Sequence, residues 1–190
     1  MTASDPACDA AHGVTEPPTE PLRLVAVFAS PVATHLLHFG RHLGYETVLL
    51  EPRPEQVSSS YDGVVVADPV EAGVDASTDV VVTDHDRADL GPVLRDVLQE
   101  GPRWVGVMGA LRHSAPHVAA LERLGVPPED VARVQRPIGL NIGSRTPPEI
   151  AVATLAGLIA DRRGRPGGFD FGAGPSASAG AGVAKTGPGT

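Results

Sequence analysis

Residues 22–52, LRLVAVFASPVATHLLHFGRHLGYETVLLEP, decide the fold of this chain. Residues 22–30 are an apolar run of strand length, residues 31–45 carry apolar side chains at helical spacing, and residues 46–52 form a second short apolar run. Strands in which Val, Leu and Ile follow one another without alternation are typical of parallel sheets, because both faces are covered. The stretch therefore predicts a strand, a helix and a parallel second strand.

The same alternation continues along the chain. Further apolar runs at 63–68, 79–84 and 103–109 alternate with helical patterns at 91–101, 114–125 and from 147 to about 163. Because alternating strands and helices imply right-handed crossovers, residues 22–165 are predicted to be an α/β domain. We expect a Rossmann-like, doubly wound, mainly parallel sheet in a three-layer α/β/α arrangement. The flanking segments, 1–21 and 166–190, are predicted to be a disordered leader and a flexible tail rich in Gly, Ala and Pro.

The composition argues against several classes of partner. The formal net charge is -8 and the sequence pI is about 5.3, so nucleic-acid phosphates and anionic lipids would be repelled. No apolar stretch approaches the roughly 20 residues of a membrane span. The single cysteine, Cys8, excludes a disulfide within the chain, which fits the cytoplasm. We therefore expect a cytoplasmic protein that binds neither nucleic acid nor membrane.

The loop after the first strand departs from the dinucleotide-binding fingerprint. That fingerprint, G-x-G-x-x-G/A, would place glycines where Phe28 and Ser30 stand, and only Ala33 fits it. Glu51, however, ends the second strand, where a ribose-binding carboxylate is expected. Two alternatives stay open: an oxidoreductase that binds NAD(P) with Glu51 on the ribose, or a Rossmann half that no longer holds a cofactor.

His85 and Asp86 follow the strand at 79–84. Ligands of doubly wound sheets bind at the carboxyl ends of strands, so this pair is a candidate for acid–base chemistry or ligand binding. The alternative is a solvated loop in which Asp86 or Asp89 caps the next helix.

Two glycines and an arginine mark the end of the strand at 103–109. Gly106 and Gly109 would permit a ligand or a neighbouring backbone to approach closely. Arg112 could hold a phosphate or a carboxylate.

The stretch PIGLNIGSRTPPEIA, residues 137–151, leads into the last helix. Thr146 and Glu149, with two prolines between them, are typical of a capping box with proline in the first turn. The capping box does not explain Gly139, Asn141 and Gly143. A glycine-rich loop that leads into a helix N-terminus can present backbone amides to an anion, whereas the alternative is a set of tight turns packed on the sheet.

Three histidines, His35, His38 and His42, share one predicted helix. No carboxylate shares their spacing and no HExxH motif occurs, so the sequence predicts no metal site.

Taken together, the strand-end motifs resemble the C-terminal Rossmann domain of the XdhC/CoxI family. The resemblance lies in VVVTDHD (80–86), WVGVMGALR (104–112) and RLGVPPEDVARVQRPIGLNIGSRTPPEIAVATLAGLIADR (123–162), and EPRPE (51–55) is similar to the family's D-P-R-P-E. This family comprises accessory proteins for molybdenum hydroxylases such as xanthine dehydrogenase and carbon monoxide dehydrogenase.

The resemblance implies a cofactor chaperone rather than an oxidoreductase. Such a protein would bind the molybdenum cofactor (molybdopterin), assist its sulfuration, deliver it to a molybdenum hydroxylase, and form a homodimer. The site would be lined by seven residues at the strand ends and the last loop: His85, Asp86, Gly109, Arg112, Gly139, Asn141 and Gly143. The chain departs from the family's glycine-containing first loop. It also has no counterpart of the family's cysteine motif, so we expect no cysteine-dependent persulfide chemistry.

Overall fold

The computed structural model describes residues 22–109, 115–165 and 167. Arg112 and the predicted leader lie outside the described residues, and so does the predicted tail apart from Gly167.

Six parallel strands form one sheet in the order β3-β2-β1-β4-β5-β6. The strands are β1 (Leu22–Val27), β2 (Tyr45–Leu50), β3 (Val64–Val66), β4 (Thr78–Val82), β5 (Trp104–Val107) and β6 (Val134–Gln135). β1 lies in the middle of the sheet, β2 and β3 follow toward one edge, and β4, β5 and β6 follow toward the other. This doubly wound order confirms the predicted Rossmann-like fold. The short edge strand β6 was not predicted.

In the described residues, five α-helices connect or cover the strands. They are α1 (Pro31–His42), α2 (Leu90–Gln99), α3 (Pro116–Arg123), α4 (Pro128–Val131) and α5 (Pro147–Arg162). A 3₁₀ turn, Pro54–Gln56, stands in the connection from β2 to β3. The one-turn helix α4 was not predicted, because its four residues are too few to show a helical period.

The core lies on both faces of the sheet, as the predicted three layers require. On β1, Leu24 and Ala26 pack against α1 and α5, whereas Val25 and Val27 face α2 and α3. Successive strand residues point to opposite faces, so the unbroken apolar run of β1 is buried on both sides.

A buried ion cluster joins α5 to the amino-terminal edge of the sheet. Asp79 is fully buried at the start of β4 and accepts hydrogen bonds from Arg103 (2.6 Å) and Arg162 (2.8 Å). Burial raises the pKa of Asp79, against the opposing effect of the two guanidinium groups. This cluster lies at the opposite edge from the carboxyl ends of the strands, so it anchors the fold away from the predicted site.

No helix among the described residues has the length and apolar character that a membrane crossing requires.

Candidate ligand site at the carboxyl edge of the sheet

The order of the strands reverses between β1 and β4, which pair directly with each other. In doubly wound sheets the crevice for a ligand opens at this point, outside the carboxyl ends of the two strands. Here the crevice is bordered by Phe28 to Ser30, which follow β1, and by Thr83 to Arg87, which follow β4.

Phe28 fills the position at which the fingerprint requires a glycine. Its backbone has a φ of 72°, a left-handed conformation that a bulky residue adopts only when its surroundings hold it there. The side chain is fully buried, and the guanidinium carbon of Arg87 lies 4.4 Å from the ring centroid. This cation–π contact joins the end of β1 to the loop after β4.

Glu51 is held by the same arginine. Its two carboxylate oxygens accept hydrogen bonds from Arg87 Nη2 (2.8 Å) and Nη1 (3.0 Å), and also from the backbone nitrogens of Ala29 (2.7 Å) and Arg53 (3.0 Å). The side chain is fully buried. The carboxylate predicted to bind a ribose is therefore satisfied within the protein, by a bidentate ion pair and two amides.

Asp89 and Arg53 complete this assembly. Arg87 also donates to Asp89 (3.2 Å from Nε), and Arg53 Nη2 donates to the same carboxylate at 3.2 Å. Burial acts to raise the pKa values of Glu51 and Asp89, but their hydrogen bonds outweigh it, so both pKa values lie below the ordinary range. Both groups are consequently charged at neutral pH. We call Phe28, Glu51, Arg53, Arg87 and Asp89 the closed cluster.

Ser30 and Thr83 join the two loops across the strand reversal. Ser30 Oγ caps α1 by accepting from the backbone nitrogen of Ala33 (3.0 Å) and donates to Thr83 Oγ1 (2.9 Å). The Thr83 hydroxyl is also within hydrogen-bond distance of the carbonyl oxygen of Phe28, at 2.9 Å. The first helix N-terminus is therefore capped by a side chain of the chain itself.

His85 and Asp86 lie on the loop after β4, beside the closed cluster. His85 Nε2 lies 3.6 Å from Asp86 Oδ1, and the side chains of His85 and Asp86 are 22% and 86% exposed. The backbone nitrogen of Asp86 donates to Asp84 Oδ1 at 3.0 Å. The loop thus keeps a partly exposed imidazole next to a carboxylate at the carboxyl edge, as the sequence predicted.

Gly106 in β5 and Gly109, two residues after its end, have different roles. A Cβ atom at Gly106 would overlap the ring of Trp104 and come within 2.7 Å of Ile138 Cγ2, so this glycine makes room for core side chains. A Cβ atom at Gly109 would instead meet the guanidinium of Arg136, at 2.7 Å from Nε. Gly109 thus leaves room for the Arg136 guanidinium at the carboxyl edge.

His117, on α3, lies near Arg136. Its side chain is 3% exposed, and its Nδ1 is buried without a hydrogen-bond partner. Burial, together with the charge of Arg136, lowers the pKa of His117 to about 4, so the imidazole is neutral at pH 7. Among the described residues, Gly109, His117 and Arg136 bring together a guanidinium and a neutral buried imidazole; we call these three residues the open edge.

The loop before α5 does not bring its glycines together. Gly139 is buried, has a φ of 85°, and would place a Cβ atom 3.1 Å from the backbone nitrogen of Thr154 in α5. The amide of Leu140 donates to the carbonyl of Ala153 at 3.0 Å. Gly139 therefore serves the close approach of two backbones, which is the packing alternative left open by the sequence.

Gly143 is different, since it is exposed and nothing would lie within 4 Å of an added Cβ atom. Asn141 is exposed as well. The predicted capping box at Thr146 is present, and the Glu149 carboxylate accepts from the backbone nitrogens of Arg145 (2.7 Å) and Thr146 (3.1 Å). Because the next two residues are prolines without N–H groups, the start of α5 offers few amides to an anion.

A cleft lies beside the closed cluster, between the first turn of α1 and residues 56–61. Its volume is about 300 Å³, and its walls include Ser30, Leu49 and Tyr61. A groove of about 440 Å³ continues past Tyr61 toward His38 and Pro148. We call the first of these spaces the α1 cleft.

Sequence reasoning missed Arg87, Arg53 and Arg136. Arg87 stands thirty-six positions after Glu51, so no local pattern joins them. One signal was available: a buried carboxylate at the end of β2 requires a cationic partner, and Arg87 follows the neighbouring strand end. Arg136 precedes the PIGLNIG motif directly, but no local pattern shows that its guanidinium lies against Gly109.

No group of three His, Cys, Asp or Glu side chains converges on a metal-sized space in the described ranges.

The fold and its strand-end loops define a Rossmann-type domain in which the carboxylate at the end of β2 is bonded within the protein. The family model of the XdhC Rossmann domain matches residues 24–158. The chain therefore belongs to the family of the XdhC Rossmann domain, as its motifs predicted.

Two known proteins show this similarity at different levels. A chain described as a xanthine dehydrogenase from Bacillus halodurans aligns with a TM-score of 0.60 and 24% identity, over 76% of this chain and 44% of that one. At that identity the likeness establishes the fold. The uncharacterized protein YqeB of Escherichia coli is 38% identical over 75 residues, which are 39% of this chain and 14% of YqeB. The chain thus matches less than half of either relative.

Proposed function

We propose that this protein is an accessory protein for a molybdenum hydroxylase of the xanthine or carbon monoxide dehydrogenase type. It would bind the molybdenum cofactor, or a nucleotide, at the carboxyl edge of the second half of the sheet and assist the maturation or insertion of that cofactor. Membership of the XdhC family supports the accessory role. The alternative, an NAD(P)-dependent oxidoreductase, would need the closed cluster to accept a dinucleotide.

The closed cluster is the observation that carries this proposal. A dinucleotide in its usual pose needs backbone close to its pyrophosphate and a free carboxylate for its ribose. Phe28 stands where the fingerprint has a glycine, and Glu51 is already bound by Arg87 and two amides. Releasing Glu51 would leave a buried charge without a partner, at a cost of several kcal/mol. The arrangement therefore favours a binding protein over a hydride-transfer enzyme.

The residues of the open edge fit an anionic pterin phosphate. Arg136 would pair with the phosphate, because a guanidinium presents a fork of donors that matches its oxygens. Gly109 lets the Arg136 guanidinium lie directly against the strand end, since a Cβ atom there would come 2.7 Å from Nε. His85, partly exposed on the adjacent loop, could contribute a hydrogen bond. The chemistry of the molybdenum itself would be supplied by the bound cofactor.

The test is the reactivation of a cofactor-free bacterial xanthine dehydrogenase by molybdopterin, with and without this protein. We expect the protein to increase the yield of active enzyme severalfold. Arg136→Gln should remove most of that increase, because it removes the positive charge of the open edge.

Arg133→Gln is the matched control. Arg133 is only three positions away. Its guanidinium is paired with Asp130 (3.4 Å), and its side chain is 44% exposed. No increase with the unmodified protein, or an equal loss with both variants, would count against the proposal. Binding of NAD with hydride transfer to any substrate would favour the oxidoreductase instead. The expected homodimer stays a prediction, which sedimentation velocity would test.

A further inference from the structure

We propose that His38 and His42, on the exposed side of α1, form a two-histidine site that chelates a divalent ion of the late transition metals, Cu²⁺ or Ni²⁺. This inference does not depend on the proposed function, because neither histidine belongs to the closed cluster or the open edge. The sequence alone predicts no metal site. The proposal depends on the positions of the two rings, which helical spacing does not give.

The two histidines are neighbours on one rigid element. They stand four positions apart on α1 and both are exposed. Residues at this spacing lie one turn apart on the same face of a helix, and the two ring centroids are 5.1 Å apart. Histidines four positions apart on one helix face are also the spacing that zinc proteins use for two of their ligands. One helix therefore presents two imidazoles side by side to solvent.

The separation of the rings suits a single metal ion. An ion bound at about 2.0–2.1 Å from an imidazole nitrogen lies about 3.2 Å from the centre of that ring. Two ring centres that are 5.1 Å apart then subtend an angle of about 105° at the ion, which is close to tetrahedral. The ring planes are inclined at 74° to each other. Rotation about χ2, a soft torsion in histidine, would turn one nitrogen of each ring toward the common point.

Phe39 restricts the ring of His38. The centroids of these two rings are 5.6 Å apart, and Phe39 itself packs against the buried cluster between α1 and the sheet. His38 thus lies between Phe39 and His42. Because this side chain has already lost part of its rotamer freedom, less entropy is lost when it binds a metal.

The charges near the pair do not oppose a cation. Arg41, which stands between the two histidines in sequence, donates from Nε to Thr47 Oγ1 at 3.0 Å. Its Nη1 lies 3.6 Å from a carboxylate oxygen of Asp62, which offsets the guanidinium charge. The formal net charge of the chain is -8, so its overall field attracts cations.

Two protein ligands make an exchangeable site. In the described ranges no third His, Cys, Asp or Glu converges with the pair, so water would fill the remaining positions of the ion. Imidazole nitrogen suits copper and nickel, and copper binds the more tightly of the two at a given site. Mg²⁺ requires oxygen ligands in an octahedral arrangement and should not bind here.

The experiment is calorimetric titration of the untagged full chain with CuCl₂, NiCl₂ and MgCl₂. We expect Cu²⁺ to bind more tightly than Ni²⁺, and Mg²⁺ not to bind. His38→Asn and His42→Asn should each weaken Ni²⁺ binding at least about tenfold, because a single imidazole loses the gain from linking two ligands. For the same reason the double variant should bind no more weakly than either single one by more than about twofold.

His35→Asn is the matched control, because His35 is on the same helix but its ring lies against Phe39, at 5.8 Å between centroids. Its affinity for Ni²⁺ should equal that of the parent. The position of the ion is checked by NMR, since paramagnetic Cu²⁺ should first broaden the amide resonances of residues 38–42. No binding of either ion would overturn the proposal. So would equal losses in all three single variants, or broadening that begins elsewhere, for example at His85. None of these outcomes bears on the reactivation assay, which depends on Arg136.

Discussion

Strands β1 and β2 end in a cluster of side chains that satisfy one another, whereas β5 ends in a glycine that faces a guanidinium. The first region contains Phe28, Glu51 and Arg87, whose charges and ring are mutually bound. The second contains Gly109 and Arg136, together with a buried imidazole that has an unbonded nitrogen. Among the described residues, the same sheet therefore has a set of mutually bonded side chains in one half and a guanidinium against a strand end in the other. A Rossmann sheet can thus keep its fold while its ligand position changes.

The largest effect is expected from breaking the closed cluster. Arg87→Met would leave the fully buried Glu51 carboxylate without its bidentate partner, so we expect a loss of about 3 kcal/mol in the free energy of unfolding. Adding Glu51→Gln to this variant should recover part of the loss, since the buried charge is then removed. Urea denaturation measures both. An equal loss in the single and double variants would show that the ion pair does not hold the crevice closed.

A second pair of substitutions compares the glycines of the loop before α5. Gly139→Ala and Gly143→Ala both place a side chain at positive φ, 85° and 71° respectively, which costs about 1 kcal/mol. Gly139→Ala adds a contact of 3.1 Å with the backbone of α5, so we expect a further loss of about 1–2 kcal/mol there. Thermal unfolding of the two variants gives the difference. Equal melting temperatures would mean that Gly139 is not a packing glycine.

The open edge should make the protein sensitive to mild acid. The pKa of His117 is about 4 in the folded chain and 6.5 without the fold, so between these values the unfolded chain binds an extra proton. The free energy of unfolding should then fall as the pH drops from 6.5 toward 4, by up to about 1.4 kcal/mol per pH unit. Glu51 and Asp89 have lowered pKa values, so their charged forms stabilise the fold. That stabilisation is lost only at more acid pH, once the pH falls below the ordinary pKa values of carboxyl groups.

His117→Asn should flatten this dependence between pH 6.5 and 5, whereas His42→Asn, on the exposed side of α1, should not. Denaturation at four pH values suffices. Identical slopes in the parent protein and His117→Asn would show that His117 is not held neutral by its surroundings.

The fold could be predicted from the sequence because each strand is a short apolar run between helical patterns. The exceptions are β6 and α4, which are too short to show a period. The sequence showed that Phe28 stands where the fingerprint has a glycine. It did not show that Arg87, which follows a different strand, lies against the Phe28 ring. The glycines of the 137–146 loop carried no signal that separates Gly139, which packs on a helix, from Gly143, which is exposed. Such distinctions depend on tertiary contacts.

The most direct test of the two-region account is an NMR titration of the amide resonances with inorganic pyrophosphate. The account predicts that the amide of Gly109 shifts, while those of Ala29 and Arg53 stay fixed because both are bonded to Glu51. Shifts at Ala29 and Arg53 with Gly109 unchanged would contradict this expectation. The anion would then have bound at the closed cluster and displaced Glu51 from the two amides.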